Sequence, residues 1–365
     1  MGPLADVRVL DLSRLLPGPA CTWYLQGMGA QVDRVEALGR GDFSRQLPPH
    51  INGVGSLFAA MSRGKRSLAV DLRHDEGTAI VRRLVKNYHV LVEGFKPGVM
   101  ENMGLDPVIL LKEQPKLVVA RLSGFGQTGP WRDRPGHDVN YIGLSGQLQG
   151  LAEESSGRVM PVVQVADLGG ALVAAMGISA ALFECERNGV GRILDVSLTE
   201  AALSFMAPHI PGICVSGRPQ IPGGEILSGG HSTYGNYRCA DDKIITLGAL
   251  EPKFMQVLFG VTTKTDKKSL GEIFLTKTRD EWVELLPDAC VAPSLAIDEL
   301  AEHPQHAARN AVFRQDNTAW VTPPFGPGTT TGKVPKLGED TDTILIDGGF
   351  SAAEIASLRQ GQIVG

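Results

Sequence analysis

Two short stretches carry residue types suited to moving protons: Gly136-His137-Asp138-Val139-Asn140-Tyr141, and further on Val165-Ala166-Asp167-Leu168-Gly169-Gly170. A histidine changes charge near neutral pH, and a carboxyl group whose pKa is raised by partial burial does the same. Set opposite one another, His137 and Asp167 would remove a proton from one face of a carbon atom and return one to the other. Each residue also has an ordinary reading. An Asp ahead of an apolar helical run commonly serves as an N-cap, and a lone His is commonly a surface or core residue.

The elements around these stretches read as alternating strands and helices. Val7 to Leu12 reads as a strand, Pro19 opens a helix that runs from Ala20 to Met28, Gly29 ends it, and Gln31 to Val35 is a second strand. The pattern repeats with a strand from Ser67 to Leu72, a helix capped by Asp75 that runs through Val85, and strands from Val90 to Phe95 and Lys116 to Leu122. This alternation predicts an α/β fold with a Rossmann-like parallel sheet covered on both faces. Gly124-Phe125-Gly126-Gln127-Thr128-Gly129 fits the spacing of a dinucleotide fingerprint, but Pro130-Trp131-Arg132-Asp133-Arg134-Pro135 follows it. That run has no helical period, so no helix N-terminus is expected there for a pyrophosphate. The glycines instead shape a loop leading to His137.

Beyond the site come a long helix from Asp167 to about Glu186, a strand from Arg192 to Ser197 and a helix from Leu198. Leu168 to Phe183 is almost wholly apolar and rich in Gly and Ala, which suits a buried helix with close neighbours better than a membrane span. Residues 208–232 are dense in Pro and Gly and read as a linker with a mobile loop. Tyr234 to Leu247 reads as a hairpin turning at Asp241-Asp242; a helix follows from Pro252, and Thr278-Arg279-Asp280-Glu281 is a capping box. The division expected is therefore a large α/β domain over 1–207, the linker over 208–232, a small α+β domain over 233–325, and a segment over 326–365 that returns to the first.

At 365 residues the chain is long enough for two domains. A formal net charge of -5, with no long block of Lys or Arg, argues against nucleic acid or an anionic membrane as partner. Five scattered cysteines without CxxC spacing read as free thiols of a reducing compartment, and the N-terminal residues lack a secretory pattern. A cytoplasmic location is expected. No metal-ligand spacing stands out.

Taken together, the two stretches above, Gly124 to Pro130, Arg63-Gly64-Lys65-Arg66-Ser67 and Tyr237-Arg238-Cys239-Ala240-Asp241 resemble the class III CoA-transferase superfamily over nearly the whole chain. His137 before Asp138 resembles the α-methylacyl-CoA racemase branch, since the transferases commonly carry an aromatic residue there. The resemblance implies a two-domain subunit in an interlocked homodimer and a CoA thioester as substrate, with no resident cofactor. It implies His137 and Asp167 as the acid/base pair, with Glu251 near the histidine. It also implies substrate or CoA contacts from Arg63, Arg66, Arg73, Lys96, Asp138, Tyr141, Gly169 and Gly170. Two positions depart from the pattern: Glu36 is followed by Ala37-Leu38 where an Arg is common, and Lys96 stands before Pro97-Gly98 where another Arg is common. A lysine keeps a point charge for phosphate and loses the bidentate fork.

The expected reaction is inversion at the α-carbon of a 2-methylacyl-CoA. A thioester activates its α-hydrogen, and two groups sharing one exchangeable proton suffice to remove it on one side and replace it on the other. The enolate oxygen needs donors, for which the amides of Leu168-Gly169-Gly170 at a helix start are one source; the same glycines would equally serve close helix packing. Two alternatives remain open. One is transfer of CoA to a carboxylic acid through Asp167 as nucleophile, and the other is CoA binding without catalysis.

Overall fold

The computed structural model describes residues 2–155, 157–315, 317–325 and 332–365. The chain divides into two compact units. The first comprises Met1–Ser145, Val163–Phe205 and Asn310–Gly365, and the second Gly146–Val162 and Met206–Arg309. This differs from the division expected from sequence in two places: residues 146–162 leave the large domain for the second unit, and 310–325 join the first. The stretch over 208–232 is also more structured than a linker, since it holds a helix at Ile210–Ser216 and a 3-10 turn at Ile226–Ser228.

In the first unit the elements run β1 (Arg8–Asp11), α1 (Pro17–Gly27), β2 (Gln31–Ala37), β3 (Arg66–Val70), α2 (Asp75–Val85), β4 (Val90–Glu93), α3 (Pro107–Glu113), β5 (Val118–Ser123), α4 (Asp138–Leu144), α5 (Val165–Asn188), β6 (Arg192–Ser197) and α6 (Leu198–Ser204). The six strands form one parallel sheet in the order β6-β5-β4-β1-β2-β3. This is the doubly wound order, and the direction of winding reverses between β1 and β4. Successive strand residues alternate between two cores. Leu10, Leu91 and Val119 face the layer that contains α2, and Val9, Val90, Val92 and Val118 face the layer that contains α1 and α5. Helix α2 is strongly amphipathic and starts one residue earlier than expected, with His74 as its capping residue rather than Asp75.

Helix α5 packs on α1, where Ala20 and Cys21 share a core with Ala171, Ala174, Ala175 and Ala181 of α5. It also packs on α6. A Cβ on Gly170 would stand 2.2 Å from Leu198 Cδ2, and one on Gly169 would stand 2.7 Å from the Phe205 ring. The other side of α5 is apolar and open: Leu172, Met176 and Phe183 are exposed.

In the second unit, β7 (Tyr234–Arg238), β8 (Ile244–Gly248), α7 (Pro252–Thr262), α8 (Lys267–Phe274), α9 (Arg279–Leu285) and β9 (Val291–Pro293) form an α+β block with an antiparallel sheet in the order β7-β8-β9. Asp242 takes a left-handed φ of 63° at the hairpin turn, and Thr278 and Glu281 form the expected capping box. Phe274 packs between Tyr237 and Trp282 in its core. The chain then returns to the first unit as a hairpin of β10 (Val312–Gln315) and β11 (Thr318–Val321), followed by α10 (Thr341–Asp347) and α11 (Ala352–Gln360). The return is fixed to the edge strand β3, where the Ser67 N–H donates to Asp340 at 2.9 Å and Val364 bridges to Val70.

The carboxyl ends of β1 and β2 rest on a buried ion network. The Arg34 guanidinium donates to Asp42 at 2.7 Å, and both side chains are 1 % exposed. Asp42 in turn accepts the N–H of Leu15, at 3.1 Å, and the N–H and hydroxyl of Ser44, each at 2.8 Å. Leu15 has a φ of 62°, so Asp42 holds the loop after β1 in a conformation that a branched side chain disfavours. Burial alone would raise the Asp42 carboxyl, but the charge of Arg34 and the Ser44 bonds outweigh it and hold the group below its usual range. A carboxyl depressed in the folded state stabilises at neutral pH, and that contribution is lost as pH falls through its lowered folded value. Asp42→Ala removes the closest carboxylate from buried Arg34, leaving Asp11 at 4.0 Å, and is expected to cost about 3–5 kcal/mol. Asp347→Ala, which removes a more exposed partner of Arg66, should cost less than about 1 kcal/mol. Equilibrium urea unfolding of the two variants checks the contrast, and equal losses would contradict it.

Candidate active site

The loop after β5 carries the chain to His137. It has no helix until Asp138, so the glycine pattern at 124–129 makes a turn and not a phosphate cradle. Tyr141 fixes the loop. Its ring lies so close to Gly124 and Gly136 that a Cβ on either would come within 2.5 and 2.7 Å of it, and its hydroxyl donates to the Gly136 carbonyl at 2.6 Å. Phe125 meets the Tyr141 and Trp131 rings edge-on, and Thr199 at the head of α6 donates its hydroxyl to the Gly124 carbonyl at 2.7 Å. Tyr141 is buried, and burial first, then the charges of Asp167 and Asp138, push its phenol up to about 12. It therefore stays protonated as a donor at neutral pH.

His137 is the exposed residue that heads α4; its N–H donates to the Asn140 side chain at 3.0 Å. Asp138, next to it, is buried. One oxygen of its carboxylate accepts the N–H of Ala166 at 2.7 Å and that of Asp167 at 3.1 Å. Asp138 is thus the cap of α5, supplied from another helix, while the local capping residue Gln164 makes no side-chain bond. Asp138 was expected among the substrate contacts; one oxygen of its carboxylate is engaged at this helix end. Asp167 sits in the first turn of α5 and does not cap it.

The Asp167 carboxyl is half-buried, and burial, followed by the neighbouring charge of Asp138, pushes its pKa up to about 7. Among the described residues no hydrogen bond joins it to the His137 ring. Helix α5 runs antiparallel to β5: near its far end the Cys185 thiol donates to the carbonyl of Lys116, just before that strand. Its first turn therefore lies at the carboxyl edge of the sheet, as do the loops that follow β1, β4 and β5. This is the edge at which ligands bind in doubly wound folds.

The amides expected to receive the enolate oxygen are not available. Leu168 N–H already donates to the Gln164 carbonyl at 3.0 Å, so Gly169 and Gly170 lie inside the helical ladder. Their lack of side chains serves the contact with α6. On α4, the Asn140 and Tyr141 amides turn back to the His137 carbonyl, at 2.8 and 3.4 Å, and the Asp138 and Val139 amides make no such bond.

Most of the expected arginines are also committed. Arg63 is buried under the β10–β11 hairpin, with its guanidinium 4.6 Å from the Trp320 ring centre and donating to Gln315. Arg66 grips Asp33 with two bonds, at 2.6 and 2.7 Å. Between them Lys65 is buried and donates to the Pro19 carbonyl at 2.8 Å and the Thr22 hydroxyl at 2.6 Å; burial pushes its ammonium down to about 7. The run Arg63 to Ser67 therefore ties the sheet to α1 and to the returning segment. Arg73 is exposed and pairs with Asp71, leaving its outer face to solvent.

Lys96 is exposed in the loop after β4 and, among the described residues, makes no hydrogen bond or ion pair. A crevice of about 710 Å³ opens beside that loop, between the ends of β1, β2 and β3. Two cations on its wall were missed in the sequence. Arg14 lies over the Phe95 ring, and Arg40 stands between Gly39 and Gly41, both with left-handed φ. Arg40 offers a charge close to the position where Ala37 and Leu38 lack one. The signal for Arg14 was present: a cation in the first strand-to-helix turn of a doubly wound fold faces the ligand crevice. Glu251 lies in the second unit, at the head of α7, without a side-chain bond to that helix.

Comparison with known proteins agrees with this architecture. The chain is 35% identical to the alpha-methylacyl-CoA racemase of Homo sapiens, over 99% of this chain and 97% of that protein. It is 30% identical to the acetyl-CoA:oxalate CoA-transferase of Acetobacter aceti, over 86% of each. The crystal structure of a CAIB/BAIF family protein from Brucella suis superposes with a TM-score of 0.82 at 26% identity, covering 95% of this chain and 99% of that one. Residues 4–341 match CoA-transferase family III, and the chain belongs to that family of enzymes.

Proposed function

We propose that this enzyme inverts the α-carbon of 2-methylacyl-CoA thioesters by 1,1-proton transfer between His137 and Asp167. The observation that carries the reading is the half-buried Asp167 carboxyl, which burial and the neighbouring Asp138 push up to about 7, at the same sheet edge as the loop that presents His137. In one direction neutral His137 takes the α-proton and protonated Asp167 supplies one to the opposite face. In the other direction the two exchange roles. Both starting states hold one proton between the two groups.

The chain's own residues suit the rest of a CoA thioester. Lys96, Arg14 and Arg40 would meet its phosphates, and Arg73 would add charge from its exposed side. Tyr141 orders the loop that holds His137. For the enolate oxygen the first-turn amides of α4, from Asp138 and Val139, replace the α5 amides expected from sequence.

CoA transfer is the second reading, favoured by the similarity to the Acetobacter aceti transferase. There Asp167 would attack the thioester carbonyl to give a mixed anhydride and CoA thiolate; the thiolate would attack the aspartyl carbonyl, releasing the donor acid and leaving an aspartyl-CoA thioester, and the acceptor carboxylate would then take CoA through a second mixed anhydride that regenerates Asp167. A carboxyl half-protonated at neutral pH is a poorer nucleophile than an ionised one, which is why inversion is preferred. The exposed apolar residues of α5 support a homodimer, for which the interlocked form is proposed, and the unpaired thiols support a cytoplasmic setting.

In deuterated buffer, either enantiomer of a 2-methylacyl-CoA should gain deuterium at the α-carbon and drift toward the racemate, as followed by NMR. No label with several chain lengths would count against the reading, and hydroxylamine trapping at Asp167 would favour transfer. His137→Ala should depress exchange from one enantiomer and Asp167→Asn from the other, each by about 10²-fold or more. Equal, modest losses from both would remove the two-face mechanism. If the chains interlock, sedimentation at nanomolar concentration should still show dimer, and a folded monomer there would exclude the interlock.

A further inference from the structure

The Asp138 carboxylate sits on the two N–H groups that a helix start would otherwise turn toward its own first-turn acid. At the head of an isolated helix, an Asp in the position of Asp167 is stabilised as the anion by the helix dipole and by unpaired amides. Here the amides of Ala166 and Asp167 are already taken, at 2.7 and 3.1 Å, by a carboxylate that is 8 % exposed. Asp167 is left half-buried beside a like charge.

We propose that Asp138 is a positioning residue with two separable duties: its oxygen atoms fix the first turn of α5, and its negative charge keeps the neighbouring Asp167 carboxyl protonatable at neutral pH. The inference rests on the reading of Asp167 as a proton carrier. The elevation of Asp167 has burial as its largest cause and Asp138 as the other. Tyr141 of α4 responds to both carboxylates. Among the other elements packed on α5, Cys21 and Tyr24 of α1, Glu200 of α6, Arg121 of β5 and Arg192 and Asp195 of β6 do not contribute to it. His137, which precedes Asp138, does not contribute to it either.

The two duties fall to different atoms, so two substitutions separate them. Asp138→Asn keeps an oxygen acceptor for the two amides and removes the charge. Asn caps about as well as Asp, so the melting temperature should stay close to that of the unaltered protein. The Asp167 titration should move down by about one pH unit, the scale of a single close like charge. Asp138→Ala removes both, and should lower the melting temperature as well as the Asp167 pKa.

The titration is read on ligand-free protein by NMR of ¹³C-labelled aspartate carboxyls, with Asp167→Asn identifying the resonance. The pH profile of α-deuterium uptake from a 2-methylacyl-CoA is read beside it, and its acidic limb should move in the same direction. An unchanged Asp167 titration in Asp138→Asn overturns the proposal, whatever happens to turnover. If the titration moves but the unaltered protein exchanges no proton on any thioester, the electrostatic duty stands and the racemase reading is what fails. A pKa that moves only in Asp138→Ala, in step with a loss of melting temperature, assigns Asp138 a cap alone and also overturns it.

Discussion

Two hydrogen bonds from the head of α5 to one buried carboxylate organise this site. Through them α4 and α5 are locked at their N-termini, which brings the residue after His137 against the amide of Asp167. Every other feature of the site leans on that lock. The loop over 124–137 can carry glycines and prolines without a helix because α4 pins its end, and Tyr141, one turn into α4, fills the space those glycines leave. The same bonds satisfy a helix start whose own capping residue provides nothing. A capping interaction inside one element would have stabilised α5 equally well. Made between two elements, it also sets their mutual geometry, and buries a charge where it acts on chemistry.

The sheet reaches the doubly wound order without the dinucleotide fingerprint, and the crevice shows how. In fingerprint proteins glycines let the backbone approach a pyrophosphate at a helix start. Here the turn after β1 holds Arg14 and a left-handed Leu15, and a carboxylate from another loop bonds to its backbone. On the far side of the switch point Glu93, paired with Arg121, accepts the N–H of Phe95 at 2.7 Å. Two loops are thus held by side-chain carboxylates, and the Arg14 guanidinium lies over the Phe95 ring between them. Such a crevice offers side-chain cations where a fingerprint would offer amides.

The alternation of strands and helices was legible because local periods carry it: β6 and the start of α6 fall where apolar spacing put them, and Pro252 and Thr278 mark helix starts by residue type alone. His137 and Asp167 were legible by resemblance. The assignment of duties was not. Asp138 and Asp167 are both acids near helix starts, and which one caps α5 depends on a partner 28 residues away in the chain. Arg63 and Arg66 look like free cations in a basic run, yet their partners Gln315 and Asp33 lie on distant strands. Arg40 was not legible as a crevice residue because its place on that wall depends on a loop turned by two left-handed glycines, Gly39 and Gly41. Local grammar specifies elements, and long-range pairing decides which charges remain for a ligand.

The family holds both kinds of chemistry that Asp167 could perform, and the difference reduces to where a proton rests. A carboxylate that must attack a thioester needs to be ionised, which a helix start with open amides would favour. A carboxyl that must both accept and return a proton works best when its pKa lies near the working pH. Closing the amides with a second carboxylate shifts the same aspartate from the first condition toward the second, without altering its place in the fold. In this chain the carboxylate that closes those amides belongs to the residue after His137, so the head of a single helix is where the charge state of Asp167 is set.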